Sequence, residues 1–497
     1  MLRHLPRFKY NGLTVILSNP SRFDKDSGEL LSATGGWFFN NECLAPITNR
    51  YCCDIRLCDD PSPLIKDTKC VLILGQYALN KLIDPMGNLE ELRGSPLSYH
   101  GIPAIASFLP QDAVDPKNFE GSYNKAAHEE GDLELDTKKD FINVKHRSRT
   151  ARSNYRFWLK KDTQRALEIM ESGIPSPRYH PVYHIYPQSA EAIALLSDTK
   201  DRDLYFDIET DIDTLDMRCF AFSFGAEQDN TVHVYVCPTL DISYRPAYAE
   251  MGKLMRSLVK TFDRNCVVAH NGHCFDFLLL AYKYHIPIGK RVFDTLICQQ
   301  RIYPSVELSL GHCVSLWTWE QFHKGEGDHT YRTPEQADAL YRYCGKDVYT
   351  MFLIKEAQLA FACTQPGMID SINQAMASIR PYLISTLLGM RYDETIRQQR
   401  IALNDRWMNQ YLRIMQVLIG DRTAPLISNK KCVEYFHNQM GYPVVARSDK
   451  TNEPSLGKDI LYKLKLSHDN PVIDALIQYR RRQKETGTLQ FEPWITV

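Results

Sequence analysis

The chain has 497 residues, and at about 100 to 200 residues per domain that length is a prior of roughly three domains. Hydrophobic residues make up 44% and charged residues 24%, close to globular averages, which excludes a chain disordered throughout. Fifty-nine Lys and Arg nearly balance sixty Asp and Glu, so the net charge of −1 excludes a whole-molecule field that attracts nucleic acid, and any such surface must be local.

At the N-terminus, Arg3, Arg7 and Lys9 precede an apolar strand-like run at Leu13 to Leu17, which reads as a plain start rather than a signal or transit segment. No stretch approaches the ~18 apolar residues of a membrane span, so the expectation is a cytoplasmic protein, neither secreted nor membrane-embedded. Fourteen scattered Cys fit reduced thiols. Runs at Thr14 to Leu17 and Val71 to Leu74, punctuated by Gly and Pro, predict strands of an α/β domain over residues 1–120.

Residues 121–188 read as an acidic linker, Glu129 to Asp140, followed by a basic helix with eight Lys or Arg between Lys145 and Arg165 against the single acid Asp162. Tyr155, Phe157 and Trp158 interleave those cations, a pattern suited to nucleic acid, so Arg152, Tyr155 and Arg156 are expected contacts. A solvated helix face is the plain alternative.

Over residues 189–365, Leu204 to Ile208, Cys219 to Phe224 and the alternating Val232, Val234 and Val236 predict strands of a second sheet. In Tyr205-Phe206-Asp207-Ile208-Glu209-Thr210 the strand period of two puts Asp207 and Glu209 on one face and Phe206 and Ile208 on the other. Adjacent carboxylates repel, and hard divalent cations such as Mg²⁺ or Mn²⁺ neutralise such a pair. After Val267-Val268-Ala269-His270 comes Asn271-Gly272-His273-Cys274-Phe275-Asp276, opening an apolar helix from Phe277 to Tyr282. Asp294-Thr295 reads equally as a near-site element or a helix cap. In Tyr343-Cys344-Gly345-Lys346-Asp347, Tyr343 and Asp347 stand i and i+4 and share a helix face.

In this order, D-x-E, N-x-x-x-F-D and Y-x-x-x-D resemble the three exonuclease motifs of the DEDD superfamily. The resemblance implies an RNase H-like domain, a mixed sheet flanked by helices, with Asp207, Glu209, Asp276 and Asp347 holding two Mg²⁺ or Mn²⁺ ions. It implies Tyr343 as the residue orienting the attacking water, and Asn271 and Phe275 as nucleic-acid contacts. Arg342 stands where the histidine subtype has its His, so the chain resembles the tyrosine subtype, to which proofreading exonucleases belong.

Residues 366–497 carry helical periodicity, Ile372, Met376, Ile379, Leu383 and Leu387, then Leu403, Trp407, Tyr411, Met415 and Leu418, with Trp407 and Tyr411 expected in a helix–helix core. Met390-Arg391-Tyr392-Asp393, Ser428-Asn429-Lys430, Gly441-Tyr442-Pro443, Lys450 to Ser455 and Tyr479-Arg480-Arg481 are similar to the thumb of family A DNA polymerases. Lys430, Lys431 and Lys450 are then expected phosphate contacts. No palm motif follows, so the resemblance implies a fragment or a split polymerase whose palm and fingers are a separate polypeptide. Val15 to Ser21, Leu72 to Gly75 and Leu92-Arg93-Gly94 resemble uracil-DNA glycosylases, as found ahead of the exonuclease in phage-type family A enzymes. Leu109-Pro110 replaces their catalytic His-Pro pair, so uracil excision is not expected. Cys43, Cys52, Cys53, Cys58 and Cys70 lack a C-x-x-C pair and read as buried small hydrophobes rather than cluster ligands.

The expected fold class is thus α/β: a glycosylase-like domain, an RNase H-like exonuclease domain and a helical thumb. The expected partners are single-stranded DNA 3′ ends, primer-template DNA and a polymerase or replisome polypeptide, in a bacterial host cytoplasm if phage-encoded. The rivals are a stand-alone DEDD nuclease on DNA or RNA ends, for which a 2′-hydroxyl requirement would speak, and a non-catalytic DNA-binding assembly subunit.

Overall fold

The computed structural model describes the chain except residues 1–2, 21, 33, 46, 49, 115–148, 322, 324–325, 327–330, 390, 421–427, 447–453 and 491–497. The described residues form two compact units, one ending at Leu388 and the other starting at Gly389. The architecture is mixed α/β, with two mixed sheets flanked by helices in the first unit and helices in the second.

The first sheet contains β1 (Arg3–His4), β2 (Leu13–Leu17), β3 (Asp54–Leu57), β4 (Cys70–Leu74), β5 (Leu97–Tyr99) and β6 (Ile102–Ser107), in the order β1-β3-β2-β4-β6-β5. Its centre is parallel, and β2 and β4 are buried at every residue, which is why LTVIL and CVLIL read as continuous apolar runs rather than alternating ones. The second sheet contains β7 (His180–Ile185), β8 (Asp203–Thr210), β9 (Met217–Ser223), β10 (Thr231–Pro238), β11 (Cys266–Ala269) and β12 (Arg291–Asp294), in the order β12-β11-β8-β9-β10-β7. Central β8 pairs antiparallel with β9 and parallel with β11. The predicted alternation of β10 holds: Val232, Val234 and Val236 are buried, and the residues between them are partly exposed.

The helix Arg149–Ser172 buries one face, with Leu159, Ala166, Leu167, Ile169 and Met170 in the core of the first sheet, while Arg156 and Lys160 stay exposed. Buried Asp162 accepts hydrogen bonds from Arg93 Nε (2.9 Å) and Nη2 (2.5 Å) and from Ser107 Oγ (2.6 Å). Arg93 also donates to Ser315 Oγ at 3.2 Å, and buried Arg165 donates to the carbonyls of Ser315 and Thr318. The aromatic residues pack as well: Trp158 lies 3.6 Å under the Arg93 guanidinium, and the Tyr155 ring meets Phe108 edge-on at 4.3 Å. Arg156 donates to Ala113 O, and Lys160 pairs with Glu42. At these positions cations and aromatics make packing and carbonyl-capping contacts within the chain. The side chain of Arg152 lies outside the described residues.

A 30-residue helix, Pro334–Cys363, packs on β8, β9 and β10; Thr333 and Gln336 form a capping box at its start, and Pro334 sits where no backbone donor is needed. The next helix, Met368–Leu388, was expected with the helical segment from residue 366. It packs instead against β12 and the helix Thr295–Ile302, burying Ile372 in the core of the second sheet.

In the second unit, helices Glu394–Ile419, Asn429–Val433, Lys458–Ser467 and Pro471–Leu489 enclose a core containing Met415, Cys432, Phe436, Leu464 and Leu476. Tyr411 packs against this core, but Trp407 is 37% exposed and stacks along the helix on Tyr411 at 6.1 Å, so the core expectation fails for Trp407. Among the described residues, no helix is long and apolar enough to cross a membrane.

Candidate active site

Central strand β8 builds the first wall. Its alternation sends Leu204, Phe206 and Ile208 into one buried face, where Phe206 meets Phe262 edge-on at 5.0 Å. Tyr205, Asp207 and Glu209 take the other face, the carboxylates half-buried near the strand end, opposite the small residues Ala221 and Cys219 of β9. A register irregularity between Glu209 and Thr210 disturbs the pairing just beyond them.

Parallel neighbour β11 runs into a tight turn and the helix Asp276–Lys283. Asn271 has φ 62°, and a Cβ on Gly272 would stand 2.5 Å from that of Ala269, so the turn needs a residue tolerant of left-handed backbone followed by one without a side chain. Asp294, at the end of β12, accepts from Asn271 N (3.0 Å), His273 Nδ1 (2.9 Å), Leu296 N (3.0 Å) and Ile297 N (3.4 Å). It therefore caps the helix Thr295–Ile302 and holds the turn at once, combining the two roles the sequence left open. Burial raises its pKa, but the His273 hydrogen bond and the charges of His270 and His273 outweigh this and leave it below the usual carboxylate value. His270 Nδ1 lies 2.9 Å from Thr295 Oγ1, the local bonding expected of it.

Asp276 is buried, and its Oδ1 accepts from Ile208 N at 3.2 Å, which ties the second acidic motif to the strand of the first. Burial pushes its carboxyl up to about 7 against the pull of the Asp276 and Ile208 backbone amides, and the charges of Asp294 and Asp347 raise it further.

The third wall is the helix Pro334–Cys363. A Cβ on Gly345 would stand 3.1 Å from Tyr183 and from Val236, so glycine lets this helix sit close on the sheet with Tyr343 and Asp347 inward. The Tyr343 phenol is raised far above its usual pKa, first by burial and then by the charges of Asp347, Glu209 and Asp207. The hydroxyl thus lies in the field of three of the four expected carboxylates.

Asp207, Glu209 and Cys344 offer donor atoms that all lie within 4.8 Å of one another, the one such group among the described residues. Two hard oxygens suit Mg²⁺ or Mn²⁺, so this part of the donor set fits the expected ions. Asp276 and Asp347 stand outside that tight group, bonded to Ile208 N and to His323 Nε2 (2.7 Å) respectively. Neither Cys344 nor His323 was expected here. Cys344 was legible only as the neighbour of Tyr343, three residues before Asp347, while nothing in the sequence around His323 marks it.

The other expected positions are dispersed. Asn271 and Phe275 lie half-buried in the turn before Asp276, while Lys430 and Lys431 are exposed on the second unit and Lys450 lies outside the described residues. Just past the end of β6, Leu109 is buried against the Gly75 backbone, where an added Cβ would meet Leu109 Cγ at 2.9 Å and Ser18 Oγ at 2.4 Å. Cys43, Cys53, Cys58 and Cys70 are buried and Cys52 partly so, and among the described residues none joins a group able to hold a metal.

No protein-family model matches the chain, and no curated protein matches it. Among solved structures it is similar to the structure described as the POL domain of Pol1 from M. smegmatis in complex with DNA primer-template and dNTP. That similarity has a TM-score of 0.43 and 13% identity, and it covers 62% of this chain and 49% of that chain.

Proposed function

We propose that this chain is a metal-dependent 3′→5′ exonuclease that trims DNA ends, of the tyrosine subtype of the DEDD superfamily. The observation that carries the reading is the convergence at the end of β8: Asp207 and Glu209 within 4.8 Å, Asp276 bonded to Ile208 N between them, and Tyr343 in the field of Asp207, Glu209 and Asp347. Asp207, Glu209, Asp276 and Asp347 would hold Mg²⁺ or Mn²⁺, which would supply charge stabilisation to the attacking and leaving oxygens of an in-line displacement. The chain's own contribution is position. With its pKa so raised, the Tyr343 hydroxyl stays protonated at neutral pH and holds water by hydrogen bonding rather than acting as a base. Asp207 and Glu209 come from one rigid strand and Asp276 is fastened to it, so three of the four carboxylates move as one body.

On this reading the chain is the exonuclease-bearing part of a family A DNA polymerase, with a thumb in residues 389–497 and synthesis by palm and fingers not legible in this sequence. Its first sheet is a glycosylase-like module that does not excise uracil, because Leu109 supplies no donor to a departing oxygen.

The test uses 5′-labelled single-stranded DNA. Mg²⁺ or Mn²⁺ should give a ladder shortening from the 3′ end and EDTA none, with single strands cut faster than duplex because a paired terminal nucleotide must first leave its stack. Cleavage without metal, or release of long internal fragments, refutes the proposal.

A further inference from the structure

Asp207 and Glu209 stand near the end of β8; the start of the same strand opens on a separate cavity of about 290 Å³. Asp203 begins the strand at the rim of this cavity, about 13 Å along the backbone from Asp207. The walls are aromatic: the Phe352 ring meets Tyr205 edge-on at 5.3 Å and Tyr179 edge-on at 4.9 Å, and Phe224 lines the same space. Gly225, with φ 80°, keeps one side open, because a Cβ there would rest on both Tyr205 and Phe352 at 3.5 Å.

One polar group in this cavity has no partner. Tyr205 is only 2% exposed, yet among the described residues its hydroxyl makes no hydrogen bond. A buried hydroxyl left unmatched is costly, so a ligand that supplies its partner gains what folding left unmade. The charges around it balance: buried Lys355 pairs with Asp203, and Arg202 and Glu356 share the rim, so two cations meet two carboxylates. A charged ligand gains no net attraction there, whereas a flat, uncharged one with both donors and acceptors can use every group. Arg202 Nη2 donates to the Phe224 carbonyl at 2.8 Å, while among the described residues its Nε and Nη1 have no partner. Glu356 is exposed and makes no ion pair among the described residues.

We propose that this cavity binds a guanine base. Guanine presents two adjacent N–H donors, N1–H and the 2-amino group, which match a carboxylate, and on another edge the acceptors O6 and N7, which match an arginine. Glu356 accepts from the first edge, Arg202 and the Tyr205 hydroxyl donate to the second, and the rings of Phe352, Tyr179 and Phe224 supply the apolar contact. Adenine lacks the donor pair and leaves Glu356 half-matched. The proposal does not rest on the exonuclease reading, since none of these groups belongs to the carboxylate site.

The test is equilibrium dialysis of radiolabelled guanosine against the full-length chain in EDTA, which keeps metal-dependent binding at Asp207 and Glu209 out of the measurement. Guanosine should bind saturably at one site, and adenosine about tenfold more weakly. Glu356→Gln should weaken guanosine binding about tenfold. Tyr205→Phe, which removes only the hydroxyl, should weaken it about threefold. Asp207→Asn should leave it unchanged, which separates this cavity from the far end of β8. Circular dichroism checks that each variant is folded. No saturable binding by the parent, equal affinity for adenosine, or full affinity in a folded Glu356→Gln chain overturns the proposal. A short thymidine strand with one central deoxyguanosine then identifies the source of the base: competition with guanosine assigns a base within a strand, and its absence assigns the free nucleoside. Guanosine binding without metal-dependent trimming refutes only the exonuclease reading, and trimming without guanosine binding refutes only the base site.

Discussion

Nε2 of His323 lies 2.7 Å from Oδ1 of Asp347, and both residues are buried, although 24 positions of chain separate them. The imidazole also stands beside the phenol of Tyr343, with ring centroids 5.9 Å apart. His323 thus supplies, from a distant part of the chain, the side chain that fixes one acid of the candidate site.

Removing that side chain takes a hydrogen bond from a buried acid. His323→Ala should destabilise the chain by about 1–3 kcal/mol, the usual cost of leaving a buried polar group short of a partner. Urea denaturation in EDTA reads this directly, and an unchanged midpoint would mean that the contact contributes nothing to folding.

Asp207→Ala combined with Glu209→Ala should abolish trimming, since both donors leave one strand face and Cys344 alone cannot replace them. Tyr343→Phe should be milder, a loss on the order of 10²-fold, because it removes one positioning hydroxyl and no carboxylate. Single-turnover rates on a short single strand separate the two, and full activity of a folded Tyr343→Phe chain would remove the tyrosine from the mechanism.

Asp276 sets a pH dependence of its own. In the unfolded chain it releases its proton near 3.9, and in the folded chain near 7. Between those values the folded state binds more protons, so metal-free stability falls as pH rises through this window. Asp276→Asn should flatten that slope while gaining stability at pH 8 relative to the wild type. Thermal melts in EDTA at pH 4, 5.5, 7 and 8 decide it, and parallel pH curves for the two chains would contradict the assignment.

Asp162→Ala should be among the most damaging substitutions outside the site, at about 3–5 kcal/mol, because it leaves the Arg93 guanidinium buried at 1% exposure without its carboxylate. A fall in the denaturation midpoint without a change in slope would register it. An effect below about 1 kcal/mol would show that water enters and solvates Arg93.

Much of this molecule could be read from short stretches, where the physics is local. The period of two in Tyr205 to Glu209 separates carboxylates from apolar side chains whatever the strand pairs with, and β10 repeats the argument with three valines. Helical spacing equally puts Tyr343 and Asp347 on one face of a helix that Thr333 and Pro334 begin. Spacing could not say what each face would meet. The cations and aromatics of Arg149–Ser172 have the composition of a nucleic-acid contact, and only the folded chain shows that Asp162, Arg93 and Ser315, up to 222 residues apart, bind one face of that helix into the interior. The periodicity of Met368–Leu388 gave a helix but not its neighbour, which proved to be β12. Cys344 reaches Asp207 across 137 residues and His323 reaches Asp347 across 24, and neither pairing leaves a trace in local pattern. Periodicity is set by backbone geometry within a few residues, whereas a side chain's partner is set by which elements the whole chain packs together.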